Sequence, residues 1–147
     1  MPGSILGNRV RRVEDPELLT GRGTFVANLR LPGLLCGAFV RSPMAHAALR
    51  SVDTAVAEAM PGVVAVLTAS DLGVAPFHGF MVLNEACARP PLATDRVRFV
   101  GEPVALVVAD DRYIAEDAAA LVAIDYQPLP AVSDCRQALT PGAPLAH

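Results

Sequence analysis

A chain of 147 residues with 52% apolar and 18% charged side chains is long enough to bury a core of its own, too apolar to be disordered, and too short for a multidomain enzyme. Its charged fraction lies below the roughly 25% of an average domain, so some apolar surface is expected to meet a partner. The net charge is −3, and all twelve basic residues are arginines scattered from Arg9 to Arg136. With no basic stripe to neutralise successive phosphates, nucleic acid is not an expected partner.

The start, Met1-Pro2-Gly3-Ser4, does not read as a targeting signal. Residues 1–33 read as an irregular lead-in that wraps a surface, with the arginines at 9, 11 and 12 solvated and Asp15 to Leu19 forming a single helical turn before Gly21. A single domain then spans 34–147. Leu34 to Arg41 is an apolar run between Pro32-Gly33 and Ser42-Pro43, the punctuation of a buried strand. A second strand is expected over Ala47 to Val52, followed by a helix over Ala55 to Met60 that Asp53 or Thr54 caps and Pro61-Gly62 ends. Val63 to Leu67 is β-branched and wholly apolar, which predicts a strand covered on both faces; Thr68 to Asp71 then reads as a polar turn.

Periodicity disappears between Gly73 and Asp95, where Pro76, Gly79, Pro90 and Pro91 collect, and a long loop of this kind is usually functional or interface-forming. Strands are predicted over Val97 to Val100 and, after the Gly101-Glu102-Pro103 turn, over Val104 to Ala109. Asp110 or Asp111 caps the next helix, whose stripe of Ile114, Ala118, Leu121 and Val122 faces the sheet. Val122 to Tyr126 is extended, and Ser133 or Asp134 starts a last turn through Ala138. The order strand, strand, helix, strand occurs twice, without an exact sequence repeat.

Candidate chemistry is sparse. Gly21-Arg22-Gly23 lacks both the third glycine and the preceding strand of a dinucleotide loop. Asp110 and Asp111 serve a helix start better than a cation. Cys36, Cys87 and Cys135 are odd in number and fit no metal-binding spacing, so they read as buried or reduced thiols. His46 sits in a turn, where its ring is expected to hold backbone groups, and Glu102 reads as a turn or interface residue because local spacing places no second titratable group beside it. No catalytic, cofactor-binding or metal-ligating residue is assigned; a small enzyme resting on His46 and Glu102 alone is the least favoured reading.

Three segments carry a resemblance: Leu35-Cys36-Gly37-Ala38-Phe39-Val40-Arg41-Ser42-Pro43-Met44-Ala45-His46-Ala47, then Met60 to Leu72, then Val97-Arg98-Phe99-Val100-Gly101-Glu102-Pro103 through Ala109. It continues through Ala115 to Ala119 and Asp125 to Val132. In order and spacing these segments resemble the N-terminal α/β-hammerhead domain of the molybdenum hydroxylases, the family of the large subunits of xanthine dehydrogenase, aldehyde oxidase and aerobic carbon monoxide dehydrogenase.

The resemblance implies an α+β fold with a mixed sheet of short strands and two main helices. It implies a structural module, inactive alone, that packs on a molybdenum-binding polypeptide or domain near iron–sulfur and flavin subunits. The molybdenum–molybdopterin cofactor, in its cytosine dinucleotide form, belongs to the assembled enzyme and is not expected on this chain. Arg41, Ser42, Pro43, His46, Gly101, Glu102 and Pro103 are the motif and interface candidates, and the 73–95 loop is expected to form part of such a contact. The alternative reading is a free-standing assembly module that keeps the fold without the activity and hides its apolar patch as a homodimer. No run approaches the ~20 apolar residues that span a bilayer, so no membrane contact is expected, and the cytoplasm is the expected location.

Overall fold

The computed structural model describes residue 7 and residues 11–82 and 84–147. The Met1 to Ser4 start and Arg9 of the arginine cluster lie outside the described residues, as does Leu83 in the 73–95 loop. The chain divides into two units, Met1–Leu34 and Leu35–His147. In the first, helix α1 (Asp15–Leu19) carries Pro16 in its first turn, where the missing N–H costs nothing, and the Thr20 hydroxyl closes it by donating to the Pro16 carbonyl at 2.6 Å.

The second unit carries strands β1 (Cys36–Arg41), β2 (Ala47–Asp53), β3 (Val63–Leu67), β4 (Arg96–Val97), β5 (Pro103–Ala109) and β6 (Ala123–Pro128). Its helices are α2 (Ala55–Glu58), α3 (Ala69–Leu72), α4 (Arg112–Leu121) and α5 (Cys135–Ala138). The strands form two three-stranded sheets, β1-β5-β3 and β4-β2-β6, in which every pairing is antiparallel. This corrects the expected single mixed sheet within an α+β hammerhead architecture. The central strand of each sheet comes from the half of the chain that supplies the other sheet's edges. Consecutive strands therefore never pair, and neither half can bury its apolar residues alone.

Among the described residues only α4 is a helix of appreciable length, so the expected second main helix is reduced to the single turn of α2. Proline at 61 disfavours a helical residue before it, and Gly62 turns the chain away at a φ of +88°. The α2 cap is the Asp53 carboxylate, which accepts from the Ala55 N–H at 3.0 Å. Residues 68–71 hold a helical turn rather than a loose polar one. Thr68 and Asp71 make a reciprocal capping box, and the Thr68 N–H donates to the Asp71 carboxylate at 2.7 Å. These bonds hold the exposed Asp71 carboxyl below its ordinary range, chiefly through the Thr68 hydroxyl.

Helix α4 is capped by Asp111, whose carboxylate accepts from the Tyr113 N–H at 2.7 Å. It lies on the β1-β5-β3 sheet through Ala115 and Ala118, which touch Ala38, Ala109, Val107 and Val66. The expected stripe is shifted: Ala115 and Ala119 join Ala118 and Val122, while Leu121 is exposed. Small side chains let the helix approach the sheet closely, whereas Leu121 lies at the end where the chain leaves it for β6. Strand β3 is an edge strand with Val64 exposed, not a strand covered on both faces. A second core cluster, Ala47, Ala93, Val97 and Val104, joins the two sheets through Val52 and Ile124.

The expected 97–100 strand shrinks to Arg96–Val97, because the chain turns at Arg98 to bring Gly101 back to Ser42. The 73–95 loop is pinned by a Phe77–Arg89 bridge and a short 3-10 turn over Glu85–Cys87. Its end, Leu92 and Ala93, is buried, while Phe77, Phe80, Met81 and Val82 are exposed. The three cysteines are free thiols, the second of the two expected states, and not buried ones: Cys87 and Cys135 are exposed and Cys36 is partly covered. Among the described residues, no helix is long and apolar enough to cross a membrane.

Candidate functional site

The motif residues from two distant segments meet at one end of the β1-β5 ladder. Between Val40 and Arg41 the register slips by one residue, so that Val104 is left over opposite them and turns into the core. Such a bulge redirects the chain at a strand end, and here it brings the two loops side by side. The Ser42 N–H donates to the Glu102 carbonyl at 2.9 Å, and the Gly101 N–H donates to the Ser42 carbonyl at 2.7 Å. The Arg41 guanidinium donates to the Gly101 carbonyl at 2.9 Å while lying over the Phe39 ring, 5.2 Å from its centre. Gly101 holds a φ of +89° that lets the turn close.

Glu102 is buried and its carboxylate accepts from the Arg98 N–H, tying the turn to itself. The Pro103 carbonyl accepts from the Ala93 N–H at 2.8 Å, anchoring the end of the long loop. The Ser42 hydroxyl accepts from the Met44 N–H at 2.9 Å and donates to the Met44 carbonyl at 3.1 Å. Pro43 fixes the turn between Ser42 and Met44 through its locked φ. These contacts make Ser42 and Glu102 structural members of the junction, and leave Arg41 as its exposed charge.

His46 lies further along, where β2 meets the chain after β6. Its carbonyl accepts from the Leu129 N–H at 2.9 Å, and its Nδ1 is 2.8 Å from the Pro130 carbonyl. A carbonyl oxygen only accepts, so Nδ1 carries the proton and donates. Pro130 lies 84 residues from His46, and the main-chain acceptor it supplies has no sequence signature. Sequence reasoning missed Arg98 and Tyr126 as members of this region. Arg98 had a local signal in Asp95 three residues earlier, which its guanidinium approaches to 3.5 Å.

The charges here are modestly tuned. At Asp95 burial raises the carboxyl, but the Arg96 side chain at 2.9 Å, the neighbouring backbone and the Arg96 and Arg98 charges together hold it below its ordinary value. Burial pushes the Tyr126 phenol above its ordinary 10.0, partly offset by the nearby Ser42 hydroxyl, although the phenol oxygen completes no hydrogen bond among the described residues. A raised phenol contributes stability that is full below the unfolded value and is lost as pH rises through the folded one. Since the chain has two tyrosines, absorbance titration of a Tyr113→Phe variant reads Tyr126 alone. Its midpoint is expected above 10 in the folded protein and to fall back to about 10 in denaturant; equal midpoints in both states refute the burial.

Among the described residues no three His, Cys, Asp or Glu side chains converge as a metal's ligands must. Asp110 and Asp111 make a helix start, and the carboxylates that touch threonine hydroxyls, Glu58 on Thr54 and Asp71 on Thr68, each at 2.6 Å, do so at the exposed starts of the short helices α2 and α3. The arrangement can hold loops in place, present a cation and accept or donate hydrogen bonds.

A family model described as "Aldehyde oxidase and xanthine dehydrogenase, a/b hammerhead domain" matches residues 20–130. The carbon monoxide dehydrogenase large chain of Afipia carboxidovorans is 46% identical over 140 residues, covering 95% of this chain and 17% of that one. The xanthine dehydrogenase molybdenum-binding subunit of Escherichia coli O157:H7 is 34% identical, covering 92% of this chain and 19% of that one. The solved structure of reconstituted CO dehydrogenase from Oligotropha carboxidovorans superposes with a TM-score of 0.83 at 44% identity, over 95% of this chain and 17% of that chain. The chain thus spans about a sixth to a fifth of the length of these relatives.

Proposed function

Because the chain belongs to the aldehyde oxidase and xanthine dehydrogenase family, as its a/b hammerhead domain, we propose that it serves as the scaffold module of a molybdenum hydroxylase large subunit. The observation that carries this reading is the match of 95% of the chain to 17% of a carbon monoxide dehydrogenase large chain at 46% identity. The module's role is to pack on a molybdenum-binding polypeptide or domain, with iron–sulfur and flavin subunits completing a cytoplasmic enzyme.

The cofactor of that assembly is molybdenum–molybdopterin in the cytosine dinucleotide form. The described residues of this chain do not fit a metal centre, since no ligand set converges, and no chemical step is assigned to them. Their contribution is surface and rigidity. The outward face of the β1-β5-β3 sheet presents Phe39 with Leu106 and Leu67 in register across it; apart from that face, the 73–95 loop exposes Phe77, Phe80 and Met81. An apolar expanse of this kind with Arg41 at its rim suits a large, mostly apolar partner. In that contact Arg41, which is exposed, touches the partner, while Ser42, Pro43, His46, Gly101, Glu102 and Pro103 set its position.

The test is complementation. The Afipia large chain lacking its matched 140-residue segment is co-expressed with this chain, and the two are expected to co-purify at a one-to-one ratio. A monodisperse monomer that never associates overturns the reading. So does a stable homodimer, seen by sedimentation at several concentrations, that ignores the larger chain.

A further inference from the structure

One cavity is not explained by a scaffold role. It has a volume of about 400 Å³ and lies between the His46 turn, the turn after β4 and the chain beyond β6. Its walls include Phe99, Val100, Pro130 and Val132. Two polar groups line it whose buried atoms have no hydrogen-bond partner among the described residues: His46 Nε2 and Arg98 Nε. His46 is only 8% exposed. Buried polar atoms of this kind are rare, because each forgoes the bonds it would make in water.

The identity of the missing partner follows from the two atoms. His46 Nδ1 carries the proton because it donates to the Pro130 carbonyl, so in the neutral ring Nε2 is a lone pair that needs an N–H or O–H. Arg98 Nε is the opposite, a donor that needs an acceptor. The rest of its guanidinium is already held by the Arg96 carbonyl at 3.3 Å and the Asp95 carboxylate at 3.5 Å, which fixes where Nε sits. A carboxylate or a phosphodiester offers acceptors only and leaves Nε2 unmet. An ammonium offers donors only and meets the guanidinium's charge. An amide offers both, on a flat, uncharged body suited to walls of aromatic and proline rings.

We propose that the His46–Arg98 cavity is a recognition site for an amide group, whose N–H donates to His46 Nε2 and whose carbonyl accepts from Arg98 Nε. A polypeptide amide and a small carboxamide share this chemistry. The inference goes beyond the scaffold reading and is tested on this chain alone, so either can fail without the other.

The experiment labels the histidines with ¹⁵N and follows His46 Nε2 at about pH 8, above the ordinary imidazole range. Benzamide and N-acetylglutamine N-methylamide represent the two sources; acetophenone has a carbonyl without the N–H, and benzyl alcohol has a single hydroxyl. At least one amide is expected to give a saturable shift at His46 Nε2. Acetophenone, which has no N–H to donate, is expected to bind about tenfold more weakly, the loss of one hydrogen bond, and benzyl alcohol, whose hydroxyl must donate and accept from a single oxygen, is expected to bind more weakly than the better amide. Which amide saturates first identifies the source. Arg98→Met, which keeps the apolar stem, is expected to weaken the better amide by a similar factor. The proposal is overturned if neither amide shifts His46, as when solvent alone satisfies both atoms, or if the ketone or alcohol binds the unsubstituted protein as well as the amides do.

Discussion

Replacing Gly62 by valine is expected to lower the stability of the chain by about 2–5 kcal/mol, with no change in the denaturant slope. Two effects add. Gly62 ends α2 at a φ of +88°, a conformation that costs a residue with a side chain about 1–2 kcal/mol. Its new Cβ would also stand 2.7 Å from Ile114 Cδ1. Ile114 packs against Ala38, Ala109 and Ala115, where α4 rests on the sheet, so it has little room to retreat. Overpacking of this kind costs about 1–3 kcal/mol. Gly101 provides the control, because its φ is +89° but nothing lies within 4 Å of its added Cβ. Gly101→Ala should therefore show the backbone effect alone, and Gly62→Ala should exceed it by about 1 kcal/mol. Urea midpoints at constant slope measure both. Equal losses from the two alanine variants would dismiss the packing argument.

Why Gly62 matters could be half read from the sequence. Pro61-Gly62 after an alanine-rich turn announces a helix end, and Val63 to Leu67 announces a strand. That Gly62 faces Ile114, 52 positions later, depends on tertiary packing. The same division runs through the fold. Strands β1, β2 and β5, the cap at Asp111 and the loop from 73 to 95 follow from local chemistry, which acts over a few residues. The sheets do not, because each central strand is inserted between two strands of the other half of the chain. Apolar runs state how much burial a segment needs, but not which neighbour supplies it. Val63 to Leu67 therefore reads as fully covered, although it takes an edge with Val64 exposed. Arg96–Val97 is cut short by the Glu102 carboxylate, which claims the Arg98 N–H that would have continued the strand.

The candidate site follows the same logic. Its residue types were visible, since Arg41-Ser42-Pro43 and Gly101-Glu102-Pro103 are both turn sequences beside apolar strands. Their meeting rests on the Ser42 and Gly101 main-chain bonds, which carry no side-chain signature. His46 was legible as a ring that holds backbone. Its partner, the Pro130 carbonyl, and the unmet Nε2 beyond it were not.

Glu102→Ala is expected to destabilise the chain by about 2–4 kcal/mol, whereas Glu102→Gln should cost about 1 kcal/mol. The alanine variant strips the Arg98 N–H of its acceptor in a buried turn, and an orphaned buried donor costs about 1–3 kcal/mol. It also removes side-chain atoms from a buried position, adding the loss of packing. Glutamine keeps an acceptor oxygen at the same reach, so its smaller penalty isolates the hydrogen bond from the charge. Hydrogen exchange locates the effect: Arg98 and Gly101 amides should lose protection in the alanine variant before those of α4 do, because both bonds belong to the junction. Association with the Afipia chain then separates positioning from contact. Arg41→Ala should weaken association by several-fold with little effect on stability, since Arg41 is exposed and its bond to the Gly101 carbonyl can be replaced by water. Glu102→Ala should do the reverse, lowering stability while the folded fraction still associates. If Glu102→Ala leaves stability intact and abolishes association, the buried carboxylate is a contact residue and the structural role argued for it is wrong.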